Sequence, residues 1–191
     1  MKKTIVSVFF ILLLFVLNGF GESFEAIPQE KIAVVPDFPN DLEVSIQIDR
    51  PVTKVYYPGE EVTITFWTNK DAFVVIYDIA PDGKVSIIFP NGYDQDNFVR
   101  ANKKITLPRE GYKFEVENKR GKEYLQIVAC DHQFVTFQVW REQFTHTVFP
   151  PISSNAIDYF KEFMGKIIVV PDKPSAPKPI WASQIIYFFV R

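Results

Sequence analysis

The most reactive side chains in this chain are a cysteine and a histidine that stand two positions apart. Cys130 is the single cysteine and His132 follows it, so on a strand the two side chains share a face. A thiolate beside an imidazole is a known nucleophile arrangement. In thiol enzymes, however, these two residues normally come from distant parts of the chain, and we therefore interpret Cys130 as a buried structural residue. His146, the other histidine, has no spacing to His132 that suggests a zinc site.

One loop concentrates oxygen atoms that could bind a cation. Asp94, Asp96 and Asn97 follow Asn91 and Gly92 within a few positions. Calcium takes about six to eight oxygen ligands, which makes Asp94, Asp96 and Asn97 weak candidate ligands. The EF-hand pattern is absent, and Asp and Asn also form turns by bonding their own backbone. We interpret the loop as a structural turn and expect no metal or cofactor.

The acidic residues form no recognisable catalytic pair along the sequence. Asp78, Asp82 and the scattered glutamates do not match a glycosidase or aspartic-protease motif, although residues distant in sequence can meet in a fold. Phosphate-binding glycine loops, nucleophile elbows and helical zinc motifs are absent as well. Some aromatic residues could stack on sugars or peptides, although aromatic residues on strands more often pack in the core; the candidates are Tyr56, Tyr57, Trp67, Tyr93 and Trp181. These observations predict a protein that is not an enzyme.

The first residues have the pattern of a secretory signal. Lys2 and Lys3 precede an apolar run from Ile5 to Leu17. This run is shorter than the about 20 residues of a transmembrane helix and has the length of a signal-peptide core. We predict a signal peptide over residues 1–21, export to the periplasm, the cell envelope or the medium, and no stable membrane span after cleavage. Retention as an uncleaved anchor is the alternative.

Composition disfavours nucleic acid as a partner. The chain has 21 basic and 23 acidic residues and a formal net charge of −2, without a cluster of basic residues. Nucleic-acid binding depends on clustered Lys and Arg, so we expect none. A single cysteine cannot form a disulfide within the chain. Stability must therefore come from the core, which 19 Phe, 8 Tyr and 3 Trp can supply.

Alternation of apolar and polar residues predicts a series of strands. We expect them at residues 42–49, 61–68, 72–79, 84–89, 103–107, 112–117, 122–130 and 181–190. The segment 72–79 is nearly all apolar, which predicts a strand covered on both faces. Pro58-Gly59 and Asp82-Gly83 are turn pairs, and the second predicts a hairpin between 72–79 and 84–89.

The last third of the chain gives mixed signals. Apolar residues at helical spacing predict one short helix over Ser154–Met164. Residues 134–144 show no clear period and weakly favour a strand or irregular structure. Residues 31–39 and 166–174 are identical at seven of nine positions. This echo reflects either two unrelated short apolar segments or two segments with the same structural task at equivalent sheet edges.

Short strands, frequent turns and one late helix predict a mainly β fold. We expect an immunoglobulin-like or related β-sandwich, with a partly open β-barrel as the alternative. The predicted organisation is a signal peptide at 1–21, an extended segment at 22–40 and a single β domain at 41–191. Residues 153–191 would add the helix and a final strand to that domain.

The middle of the chain, about residues 42–130, carries an ordered set of motifs. A Tyr57-Pro-Gly-Glu60 turn and an apolar strand lead to Pro81-Asp-Gly83, Phe89-Pro-Asn91 and a downstream Asn97. This order resembles the bacterial family catalogued as domain of unknown function 4384. The resemblance implies a β-sandwich-like module of envelope or secreted proteins, and it implies no activity, ligand or catalytic residue. We interpret the motif positions as structural; they are Pro58, Gly59, Asp82, Gly83, Phe89, Pro90, Asn91 and Asn97.

Together these features predict an exported, non-enzymatic β-sandwich module of the cell envelope that acts by protein interaction or assembly. Its partner would be an envelope protein or a cell-wall component. A carbohydrate- or peptidoglycan-binding module is the alternative, and it requires exposed, coplanar aromatic rings. A hydrolase is less favoured, since it requires Cys130 and His132 in a pocket or two acids brought close together.

Overall fold

The computed structural model describes residues 41–51, 55–133, 141, 144, 147–153 and 179–191. About 49% of this described part is strand, and none of its elements is a helix, so the prediction of a mainly β fold is confirmed. The strands are β1 (Val44–Ile48), β2 (Val55–Tyr56), β3 (Ile64–Thr68), β4 (Ala72–Ile79), β5 (Val85–Phe89), β6 (Phe98–Val99), β7 (Ile105–Leu107), β8 (Gly121–Cys130), β9 (Pro151–Ser153) and β10 (Trp181–Val190).

The strands form two sheets. A three-stranded sheet has the order β1-β3-β7, and a seven-stranded sheet has the order β2-β10-β8-β4-β5-β9, with β6 also paired to β4. All described pairings are antiparallel except that of β10 with the short strand β2. The last strand of the chain therefore lies inside the larger sheet, between β2 and β8.

One face of the larger sheet contributes to an apolar cluster with the smaller sheet. Alternate residues of β4 and β8 point to this face, as the period of a strand requires. They meet Ile64 and Phe66 of β3, and the ring of Phe66 lies 5.3 Å from that of Phe89 on β5. The backbone amide of Ile46 on β1 also donates a hydrogen bond of 2.6 Å to Oε1 of Gln184 on β10. This shared cluster holds the two sheets together, and we call the side of the larger sheet that faces it the inner face.

The outer face of the larger sheet is also apolar. Val75, Tyr77 and Ile79 of β4 belong to a second buried cluster with Val128 and Cys130 of β8. Phe144, from the segment after β8, is part of the same cluster. The prediction that residues 72–79 form a strand covered on both faces is therefore confirmed.

Two turns lie where the Asp-Gly and Pro-Gly pairs of the sequence predict them. Pro81-Asp82-Gly83 joins β4 to β5 in an antiparallel hairpin, where Gly83 has a φ of 84° and its amide donates to the carbonyl of Ala80. Around Pro58 and Gly59, the amide of Glu60 donates to the carbonyl of Tyr57. A positive φ is available to glycine at little steric cost, which explains why these residue types occupy these turns.

Two predictions of structure are wrong. Residues 112–117 do not form a strand, because only an isolated bridge between Glu61 and Glu115 is present there. In the described part, the sheets are also not closed into a barrel, which removes the alternative of a partly open barrel. Strands β2, β6 and β9 were not predicted, since two or three residues are too few to show a period.

Other predictions fall on residues outside the described part. These are the signal peptide, the segment 22–40, the helix over 154–164, most of 134–144, and both copies of the echo at 31–39 and 166–174. The structure therefore gives no support to the predicted helix. Within the described residues, no helix has the length and hydropathy needed to cross a bilayer.

We expect the cluster between the sheets to dominate stability. Phe66 is fully buried there, so Phe66→Ala should lower the free energy of unfolding by about 3–5 kcal/mol through lost burial and the remaining cavity. Tyr57→Ala, at a side chain that is 57% exposed, is the control and should change it by less than about 0.5 kcal/mol. Denaturant unfolding measures both values. Equal losses in the two variants would contradict the proposed role of this cluster.

Candidate functional site

Two carboxyl groups meet at one end of the inner face. On β4, Val74 and Ile76 point to the inner face, and Asp78 follows them at the next position of the same period. On β8, Leu125 and Ile127 point to that face, and Glu123 takes the corresponding position. The antiparallel register aligns Asp78 with Leu125, which leaves Glu123 diagonal to Asp78. The two carboxyl groups are hydrogen-bonded to each other.

Asp78 and Glu123 line a cavity of about 410 Å³. Its volume lies within the range of about 300–1,000 Å³ that is typical of small-molecule sites. The larger sheet forms the floor, and the opposite wall comes from β3, the segment 114–117 and the segment 147–149. The apolar lining residues are Val62, Ile64, Ala80, Ile88, Phe114, Val116, Leu125, Val148, Phe149 and Phe188.

Burial controls the ionisation of this pair. Removal from water disfavours a charged carboxylate and raises the pKa of both Asp78 and Glu123. The negative charge of Asp78 raises the pKa of Glu123 further, and Glu117 acts on both groups in the same direction. Two carboxyl groups in contact titrate as a unit, so the pair retains one proton at neutral pH and carries about one negative charge.

One acceptor atom of the pair is unused. Oδ1 of Asp78 is buried and has no hydrogen-bond partner, although the residue as a whole keeps partial exposure toward the cavity. A buried acceptor without a partner costs about 1–3 kcal/mol, and more when it belongs to a charged group. Oδ1 itself is closed off from the cavity, so Asp78 meets the cavity through the rest of its carboxyl group.

The start of β8 is fixed by a close backbone approach. Gly121 has a φ of 140° and lies so near Pro81 that a Cβ atom would come within 2.8 Å of the proline Cβ. Nearby, Nζ of Lys119 contacts Asp82 at 2.8 Å and Glu117 at 3.0 Å. These contacts tie the segment before β8 to the β4–β5 turn, and they place Glu123 beside Asp78.

The Cys130 and His132 pair does not form a nucleophile site. Cys130 is buried, as predicted, in the outer apolar cluster, and burial raises the pKa of its thiol to about 12. The imidazole Nδ1 of His132 lies 2.7 Å from Oδ1 of Asp131, whereas only the His132 backbone amide donates to the Cys130 sulfur. A thiol that remains protonated is a poor nucleophile.

The three weak calcium candidates are engaged in separate contacts. Asp94 accepts from the hydroxyl of Tyr112 at 2.6 Å and pairs with Arg109 at 2.8 Å. Asp96 accepts from the amide of Phe98, while Asn97 exchanges two side-chain amide hydrogen bonds with Gln133. In the described part of the chain, no group of three or more His, Cys, Asp or Glu side chains could hold a metal ion.

Asn91 organises the loop after the Phe89-Pro90 motif. Its side-chain amide donates to the carbonyl of Ile88 at 2.8 Å, and its Oδ1 accepts from the amides of Tyr93 and Asp94. Asn91 is fully buried, so these bonds replace those that water would make. Its role is to order the loop between β5 and β6.

The aromatic residues that could bind a sugar differ widely in their exposure to solvent. Tyr56 is fully buried, and Trp67 and Trp181 are half-buried. Tyr57 and Tyr93 are more than half exposed. The ring of Tyr93 stacks on that of Tyr112 at 5.1 Å with an interplanar angle of 8°. Two rings stacked on each other do not form a side-by-side platform. Among these residues, only Tyr93 offers a ring at this position, through the ring face turned away from Tyr112.

The sequence does not reveal the Asp78–Glu123 pair. Along the sequence, Asp78, Asp82 and the scattered glutamates match no catalytic motif, so no motif there distinguishes Glu123 from the other glutamates. The sequence pattern does contain a hint of the site. Each acid continues the alternation of a strand whose other inner-face residues are apolar. The contact itself depends on the pairing of β4 with β8, which no local pattern encodes.

The raised pKa values predict a pH dependence of stability. Because the native pair holds a proton above the ordinary carboxyl range, the unfolded chain binds fewer protons there, and stability falls as pH rises. Between pH 6 and 9, each retained proton contributes a slope of up to about 1.4 kcal/mol per pH unit. Glu123→Gln removes the shared proton and should flatten this slope in urea unfolding. Glu110→Gln, at an exposed carboxylate, is the control. Equal slopes in Glu123→Gln and the unchanged chain would exclude a shared proton.

Comparison with known proteins gives one match. No curated protein and no solved structure matches this chain significantly. Residues 55–133 match the family model described as "Domain of unknown function (DUF4384)". This span contains the turn, hairpin and Asn91 motifs, and both acids of the cavity. On this match, residues 55–133 are identified with the DUF4384 family, as the sequence resemblance predicted.

Proposed function

We propose that this chain is an exported, non-enzymatic β-sandwich module of the cell envelope that binds part of another envelope component in the cavity between its sheets. The observation that carries the proposal is the pair of acids, Asp78 and Glu123, in the lining of a cavity whose other side chains are mostly apolar. Apolar pockets with a few convergent polar groups are the common form of binding sites.

The two-sheet arrangement supports the finer description of the fold. Packing of the inner face of the larger sheet against β3 through one apolar cluster is the general plan of β-sandwiches. We propose an immunoglobulin-like or related sandwich on this basis. The proposed compartment rests on the signal pattern in residues 1–21.

The closeness of the carboxyl groups argues against a glycosidase in particular. Glycosidases keep their two carboxyl groups about 5 Å or more apart, so that the bond to be cleaved lies between them. Asp78 and Glu123 instead contact each other directly. The burial of Cys130 likewise argues against a thiol mechanism. A carbohydrate- or peptidoglycan-binding module remains the second candidate, supported by the exposed ring of Tyr93.

A site-specific crosslinker tests the binding proposal. Thr147 is exposed and lines the cavity, so p-benzoylphenylalanine at position 147 should yield crosslinked products with envelope components in cells. Lys103, which is exposed and lies outside the lining, is the matched control position. Ser86→Trp, which fills the cavity from its floor, should suppress the products, whereas Thr106→Trp at an exposed position of β7 should not.

Products of equal intensity from positions 147 and 103, or products that persist in the folded Ser86→Trp variant, would contradict cavity binding. Enrichment on purified cell wall that depends on Tyr93 and not on Ser86 would favour the carbohydrate-binding alternative. Thermal unfolding establishes that each variant is folded before it is compared.

A reporter fusion tests export. Residues 1–40 fused to a phosphatase that folds only in an oxidising compartment should give active enzyme in a bacterial host. Leu13→Arg interrupts the apolar run and should reduce the activity by at least about tenfold, since a charge disrupts the signal core. Ala26→Arg, which lies in the same fusion but after the apolar run, is the control. Phosphatase activity that does not respond to Leu13→Arg would contradict export through this segment.

A further inference from the structure

The charged residues that line the cavity determine whether it attracts a positively or a negatively charged ligand. Asp78 and Glu123 form the floor, and exposed Glu115 and Glu117 stand at the rim. Of the two lysines in the lining, Lys119 is already paired with Asp82 and Glu117, and Lys84 is the second. The acids of the lining outnumber its bases, so the cavity attracts a positively charged or hydrogen-bond-donating group.

The composition of the lining favours an organic cation over a metal ion. A metal ion requires more ligands than the two carboxyl groups provide, and the described residues hold no larger cluster. Phe114 and Phe149 provide apolar surface opposite the acids, and Leu125 and Phe188 provide it beside them on the larger sheet. An alkylammonium group has a compact charge with three donors on a methylene stem, which matches acids surrounded by apolar surface.

We propose, on the basis of the cavity-binding function above, that the site takes a primary alkylammonium group, with the ammonium on Asp78 and Glu123 and the methylene stem against Phe114, Leu125 and Phe149. The ammonium donates hydrogen bonds to the carboxyl groups of Asp78 and Glu123, which line the cavity. The stem buries its apolar surface as lysine side chains do.

Binding of a cation displaces the shared proton. The singly charged, protonated pair and the ammonium give the doubly charged pair with bound ammonium, and one proton passes to the solvent. The charged groups that act on the pair are Glu117 and Lys119 from the segment before β8, and Lys84 from the turn before β5. Glu117 opposes loss of the proton, whereas Lys119 favours it at both acids and Lys84 at Asp78.

Calorimetric titration of the full chain with n-pentylamine at pH 8 tests the proposal. The amine should bind at least about tenfold more tightly than 1-pentanol, which has the same stem without the charge. Titration in two buffers of different ionisation enthalpy should reveal release of about one proton per amine bound. Glu123→Gln should abolish this release, and Asp78→Asn should weaken binding at least about tenfold. Glu110→Gln is the control and should leave both properties unchanged.

Two further ligands identify the source of the ammonium group. Tighter binding of Nα-acetyl-lysine methylamide than of 1,5-diaminopentane would indicate a lysine side chain of a protein partner. The reverse order would indicate a free diamine. Tighter binding of n-butylguanidine than of either amine would overturn the assignment to a primary ammonium.

Equal binding of pentylamine and pentanol, absence of binding, or absence of proton release by the unchanged chain would each overturn the amine proposal. The unchanged chain supplies the comparison of the two ligands and of the two buffers, so the test holds even if Asp78→Asn does not fold. If amines fail to bind while Ser86→Trp still suppresses crosslinking from position 147, only the assignment of the ligand falls. If crosslinking is insensitive to Ser86→Trp as well, the binding function of the cavity falls with it.

Discussion

β4 and β8 pair antiparallel from Phe73 opposite Cys130 to Ile79 opposite Tyr124, and the other features of the molecule follow from this register. Side chains alternate between faces along a strand, so a slip by one residue would exchange the inner and outer faces. In the observed register, Val74, Ile76 and Ile127 face the smaller sheet, while Val75 and Val128 face outward. The same register brings the acids at the ends of these strands together.

The two acids at one end of the inner face reduce the free energy that the core contributes to folding. Carboxyl groups on an apolar face lose hydration, and their pKa values rise in response. A shared proton reduces this cost but leaves Oδ1 of Asp78 without a partner. Two apolar residues at these positions would avoid the penalty. Acids with perturbed pKa values beside a cavity are candidates for a functional site, and the adjoining cavity gives this pair access to a ligand.

The motifs that the sequence makes most visible have structural roles. Gly83 closes the hairpin between β4 and β5, and Asn91 bonds three backbone groups of its own loop. These residues are recognisable because their bonds are local, within about three positions of the residue itself. They contribute to the site indirectly, since the hairpin positions the end of β4 that bears Asp78.

The sequence by itself determined the mainly β class, the hairpin at Pro81-Asp82-Gly83, the double burial of Ala72–Ile79 and the final strand at Trp181–Val190. Each follows from local alternation or turn chemistry, which neighbouring residues encode. Only the tertiary structure decided that β10 lies between β2 and β8, that 112–117 makes a single bridge, and that Glu123 meets Asp78. These depend on pairings between residues far apart in the chain, and a local pattern carries no information about which strand becomes a neighbour. The candidate site was hidden for the same reason: its two acids are individually ordinary, and their contact exists only in the folded register.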